Sequence, residues 1–190
     1  MGLAAVLFFV VVGAKYYWEM RSHAAAEAFY SANTLKSGSD EHVAALVELI
    51  DNYPRTPAGR QGMMELGNIY MAREEYPSAV EQFKKLVGKS RNQPMIYIAA
   101  LHMMAEAELA GGDAKAAAEI YLKAAADPHN LISQTSRLRA AVCMEKAKEY
   151  AQAALLYRQI IDESTEMDSV PKARSEERLI WLAANGYLQQ

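Results

Sequence analysis

A small residue followed four positions later by an aromatic recurs three times in this 190-residue chain: Ala79 with Phe83, Ala117 with Tyr121, and Ala153 with Tyr157. Each pair is preceded by a second signature, Leu66-Gly67 with Tyr70, Met104-Ala105, and Ala140-Ala141. Ala79 and Ala117 lie 38 residues apart, and Ala117 and Ala153 lie 36 apart, close to the period of about 34 over which a two-helix unit repeats. Small residues let paired helices approach, and the aromatic fills the space beside them. Each hairpin then has an apolar face that only its neighbour can bury, so the pattern predicts an all-α stack of hairpins with an inner groove.

Composition narrows what such a stack can do. At 52% hydrophobic residues the chain can bury a core without disulfide staples. A net charge of −3 and a pI near 5.8 argue against nucleic acid, which selects a basic face or stripe. Cys143 is the one cysteine, so no internal disulfide and no cysteine-based zinc cluster can form. Between Val142 and Met144 it reads as a buried small hydrophobe.

The amino terminus differs from the rest. Gly2 to Ala14 carries no charged or hydrogen-bonding side chain, and Lys15, Tyr16, Tyr17 and Trp18 follow. Crossing a bilayer takes about 20 apolar residues, so the run alone is short by roughly a third. The aromatic trio lengthens it and forms the belt that a membrane interface favours, with Lys15 able to snorkel to the same level. Residues 1–18 are accordingly expected to be a membrane anchor, with Lys15, Tyr16, Tyr17 and Trp18 at the interface and part of the upstream flank missing from the sequence. No signal-peptide cleavage site and no lipoprotein cysteine accompany the run. A buried core helix is the competing reading, and Lys15 and Arg21 leave the orientation open.

From Glu19 to about Asn33 the pattern stays helical, and Ser37-Gly38-Ser39-Asp40 breaks it and supplies a cap. Val43, Leu46, Val47 and Ile50 mark a helix that ends at Tyr53-Pro54. Three hairpins follow at about 58–87, 94–126 and 131–161, turning at Glu74 to Pro77, Gly111 to Asp113, and Lys148 to Tyr150. A last segment from Val170 to Leu188 has Arg174, Glu176, Glu177 and Arg178 to supply the polar outer face of a cap, with Trp181 packed.

These residues resemble the tetratricopeptide repeat (TPR) family over about 40–161. Leu66, Gly67, Tyr70, Ala79 and Phe83 fit its signature well, whereas Met104-Ala105 and Ala140-Ala141 replace the usual Leu-Gly. The arrangement of an apolar first segment, a degenerate hairpin, a Tyr-Pro junction and three repeats is similar to the bacterial membrane-anchored group typified by the ancillary subunit of the Sec translocon. That resemblance implies a single-pass inner-membrane protein with periplasmic repeats that contact translocon, chaperone or client chains. The expected organisation is an anchor at 1–18, a linking helix and degenerate hairpin at 19–57, three hairpins at 58–166, and a capping helix at 167–190.

The family geometry implies a concave partner-binding groove. Its lining is expected from Gln61, Met64, Asn68 and Met71 in the first repeat, Ala99, His102 and Glu106 in the second, and Thr135, Leu138, Val142 and Glu145 in the third. Of the lysine, asparagine and arginine positions by which some relatives clamp a terminal carboxylate only Asn68 remains, so the groove is read as apolar and methionine-rich, with no dicarboxylate clamp. His102 and Glu106 share a helix face at i, i+4, enough for one ion pair or half a metal site. No third ligand is evident. With no catalytic motif the chain reads as a non-enzyme without cofactor or metal: a membrane-anchored scaffold for a protein or peptide partner. A self-assembling module that forms homo-oligomers, and a soluble cytosolic repeat protein with its first helix buried, are the alternatives.

Overall fold

In a computed structural model, which describes residues 2–188, the chain is all-helical among the described residues. The helices are α1 (Gly2–Ala32), α2 (Asp40–Asn52), α3 (Pro57–Ala72), α4 (Tyr76–Lys89), α5 (Pro94–Ala110), α6 (Ala114–Ala125), α7 (Ser133–Lys146), α8 (Tyr150–Glu163) and α9 (Ser169–Ala184), with a short 3-10 turn at Glu166–Asp168. The contacts divide them into two compact units, Met1–Ile69 and Tyr70–Gln190.

In the first unit, α2 starts where Ser39 accepts the His42 amide at 3.2 Å, with Asp40 and Glu41 placed to favour the helix dipole. His42 is buried, accepts the Gly38 amide on Nδ1 at 3.1 Å, and turns Nε2 toward Glu65 at 3.5 Å. Arg21 on α1 donates to the Asn52 carbonyl and lies 5.1 Å from the centre of the Tyr53 ring. Thr56 caps α3 by accepting the Gly59 amide at 3.0 Å.

α1 runs unbroken for 31 residues. Val6 to Val12 stand 47–72% exposed, as do Tyr16, Tyr17 and Trp18 at 45–69%. The apolar stretch ends at Lys15, and Glu19, Arg21 and Glu27 punctuate the second half. No helix among the described residues is long and apolar enough to cross a membrane. The spanning anchor expected at 1–18 therefore finds no support, nor does a buried core role for this run.

In the second unit each helix packs on the next, from α4 through α9. Ala105, Ala117, Ala118, Ala140, Ala141, Ala153 and Ala154 are fully or almost fully buried around Tyr121, Tyr157, Ile160 and Leu182. The alanines and tyrosines of the sequence signature are thus core residues packed together. A second cluster sets Ala79, Phe83 and Ala107 against Tyr70, Met71, Val80, Met103 and Met104.

The turn inside each hairpin of this unit is one motif. Glu74, Gly112 and Lys148 adopt φ of 60°, 95° and 62°. The next amide donates back five residues: Glu75 to the Tyr70 carbonyl at 2.8 Å, Asp113 to Glu108 at 2.9 Å, and Glu149 to Met144 at 2.9 Å. This is the Schellman closure, which satisfies carbonyls that the helix end would otherwise leave free.

Candidate functional site

A hollow in the second unit lies between α5 and the loop before α7. It has a volume of about 520 Å³ and is lined by Met95, Ile98, His102, Glu106, Leu131 and Ile132 among others. Its rim is apolar and open to solvent: Leu131 is 98% exposed, Met95 86% and Ile132 51%. Exposed apolar side chains gathered around a concavity mark binding surfaces, whereas single ones do not.

Asn130 holds that rim in place. Buried beneath the loop, it donates from Nδ2 to the Ala124 carbonyl at 2.7 Å and to Ser136 Oγ at 3.0 Å, and accepts the Ile132 amide on Oδ1 at 3.0 Å. Asp127 supports the same turn by accepting the His129 amide at 2.9 Å. Leu131 is therefore displayed on a loop whose backbone is tied on both sides.

The polar groups of the floor are spent on one another. His102 Nε2 lies 2.7 Å from Ser136 Oγ, and its ring meets Tyr121 edge to face at 5.2 Å. Burial, with the Arg139 guanidinium nearby, holds the His102 pKa below its ordinary value, which favours the neutral ring at pH 7. Glu106 accepts Arg139 Nη1 at 2.7 Å, and Arg139 also reaches Tyr121 Oη at 3.4 Å. Among the described residues the titratable groups lining the hollow, His102, Glu106 and His129, each have a partner, in Ser136, Arg139 and Asp127.

The same arrangement recurs one repeat on. Glu145 accepts Arg178 Nε at 3.0 Å and a second bond from Nη2, while Tyr157 donates its hydroxyl to Glu145 at 2.5 Å. Both glutamates stand 33 residues before their arginines. Burial and the Glu145 carboxylate push the Tyr157 phenol well up, and the same carboxylate raises Arg178. These rungs join first helices of successive hairpins.

The groove residues expected from sequence are thus dispersed. His102 and Glu106 line the second unit's hollow beside Ala99. Met71 packs against the Phe83 cluster, Leu138 is half-buried against the main core, Val142 is 38% exposed, and Thr135 is half-buried. Glu145 is consumed by Arg178 and Tyr157. In the first unit Gln61 lines a separate hollow of about 380 Å³ with Trp18, His23 and Phe29, while Met64 is half-buried and Asn68 exposed. His102 and Glu106 do not pair with each other, and among the described residues no group of three potential metal ligands comes together. Sequence reasoning missed Asn130, Leu131, Ile132, Ser136 and Arg139. The available signal was the 33-residue spacing of Glu to Arg, which appears twice.

No family model matches the chain, and no curated protein does. Among solved structures it is similar to a single-substitution form of a Podosopora anserina protein described as a kinesin light chain with nearly identical TPR-like repeats. That match has 18% identity and a TM-score of 0.50, and covers 92% of this chain and 94% of that one. The fold is that of TPR-like repeats. A second structure of the same protein gives 18% identity and a TM-score of 0.49 over 83% of this chain and 90% of that one. At such identity the likeness carries the fold and leaves the ligand to the site. The TPR-like frame puts the hollow on first helix α5 and on the loop entering first helix α7.

Proposed function

We propose that this chain is a non-enzymatic TPR-like scaffold that binds apolar side chains of an unfolded or extended polypeptide in the hollow formed by α5 and the 127–132 loop. The observation that carries the reading is the nearly full exposure of Leu131 and Met95 at the rim of a concavity whose polar floor is internally paired. Met95 and Met103 suit varied apolar partners, because a thioether chain adapts its shape at small cost. Leu131→Asp is expected to weaken binding of a reduced, carboxymethylated model protein by roughly thirtyfold, the effect of losing a contact worth about 2 kcal/mol. Fluorescence anisotropy of the labelled chain measures it. Unchanged affinity in this variant would remove the hollow from the account.

The apolar first half of α1 favours a lipid surface as its environment. The thirteen helical residues Gly2 to Ala14 extend about 20 Å, enough to reach well into the roughly 30 Å hydrocarbon core. Tyr16, Tyr17 and Trp18 then sit at the headgroup level. The similarity in arrangement to the translocon-associated group supports an envelope placement with emerging client chains as partners. Flotation with phosphatidylethanolamine–phosphatidylglycerol vesicles is expected to carry the protein upward, and Phe8→Asp with Phe9→Asp to abolish it. Failure of the unmodified chain to float would remove the lipid contact.

A further inference from the structure

The hollow of the first unit begins where the aromatic belt of α1 ends. Trp18, Ser22 and Phe29 fall on one face of that helix, and the first turns of α3, with Gln61, close the other side. Among the described residues no lysine or arginine lines this space. Glu19 is its one carboxylate and His23 its other titratable side chain. Ser22 and Gln61 add acceptor oxygens, and Trp18 and Phe29 add aromatic rings. A carboxylate set among rings and acceptor oxygens selects a cation that has N–H groups to donate.

The charges at the mouth are ordered along the helix. Lys15 stands one turn before Glu19, with Nζ 3.8 Å from Oε1 and side chains 77% and 58% exposed. So exposed a pair is held weakly and opens at little cost. Arg21 is engaged elsewhere, donating to the Asn52 carbonyl and lying over the Tyr53 ring. With the apolar run in the hydrocarbon, Lys15 lies at the deeper level and Glu19 about 6 Å further out. An amine-bearing phospholipid presents the complementary order. Its phosphate is joined to the glycerol at the deeper level, and its ammonium lies further toward water at the end of a short link.

We propose that Lys15, Glu19 and this hollow bind the headgroup of phosphatidylethanolamine, with the phosphate on Lys15 and the ammonium against Glu19, Ser22 and Trp18. The site presupposes the lipid contact of α1 proposed above and names the lipid that α1 selects. Phosphatidylcholine carries the same charges without N–H groups, so the acceptor oxygens go unpaired. Phosphatidylglycerol has no ammonium and brings a net negative charge beside Glu19.

Flotation compares vesicles of phosphatidylethanolamine with vesicles of phosphatidylcholine, each containing the same minor share of phosphatidylglycerol. The unmodified protein is expected to partition at least about fivefold more strongly into the first. Exchanging the pair, Lys15→Glu with Glu19→Lys, keeps the composition of the helix and its apolar run. It is expected to bring that ratio to about one while binding to both vesicles persists. Ethanolamine lipids also loosen bilayer packing, so the headgroups are tested without a bilayer. Glycerophosphoethanolamine is expected to change the emission of Trp18 in a Trp181→Phe protein, and glycerophosphocholine at the same concentration to leave it unchanged. Equal flotation on the two vesicles, a preference that survives the exchange, or the same response to both headgroups overturns the site and leaves the lipid contact of α1 standing. Flotation on neither vesicle removes that contact and the site with it.

Discussion

Tyr157→Ala is expected to lower stability by about 3–5 kcal/mol, the range for deleting a large aromatic from a packed core. Tyr157 is fully buried between α7 and α9 partners, and its hydroxyl is one of three groups that satisfy Glu145. The truncation opens a cavity beneath the rung and leaves a nearly buried carboxylate, its side chain 9% exposed, with Arg178 alone. Tyr157→Phe keeps the ring and removes one hydrogen bond to a charged acceptor, so its cost is about 1.5–3 kcal/mol. Urea denaturation midpoints of the two variants separate packing from hydrogen bonding. Equal midpoints would show that the ring contributes no packing stability beyond the hydroxyl.

Gly59→Ala has the largest expected effect in the first unit. A methyl group there would stand 2.0 Å from the Tyr53 carbonyl oxygen and 2.9 Å from its carbon, and these are backbone atoms in the turn that Thr56 caps. Backbone cannot yield as a side chain does, so the cost falls at about 3 kcal/mol, the upper end for overpacking. Gly62→Ala is the control. Its nearest neighbour is Leu49 Cδ2 at 2.9 Å, the end of a flexible side chain, and the expected loss is about 1 kcal/mol. Thermal unfolding of both variants reports the ratio, and a Gly59→Ala protein as stable as Gly62→Ala would contradict the tight turn.

The alanine and aromatic positions are legible because helix packing is encoded locally: a small residue and a ring four positions apart share one face and need no distant partner to be recognised. Cys143, read as a buried hydrophobe, is 2% exposed. The rungs are not legible in the same way. Arg139 and Arg178 look like ordinary solvated charges in their own helices, and by sequence Arg178 belongs to a polar outer face. Only the stacking of first helices brings each within reach of a glutamate 33 residues back. Asn130 carries no sequence signal, because its three bonds form only once α6 and α7 are set side by side.

The groove suffers from the same limit. Helical phase puts His102 and Glu106 on one face, and both line a hollow, but phase alone cannot tell that Glu145 is claimed by two neighbours or that Met71 joins the Phe83 cluster. Leu131, the most exposed large apolar side chain of the rim, lies outside any helix. Periodicity has nothing to say about such a residue.

The most direct measurement of the central claim is photo-crosslinking to the reduced, carboxymethylated model protein, with a photoreactive phenylalanine analogue placed singly at Leu131 and at Glu119, an exposed residue of second helix α6. A hollow that binds apolar chain segments gives a strong adduct from position 131, competed away by unlabelled client, and little from position 119. Equal adducts from the two positions, or adducts from 119 alone, would contradict it.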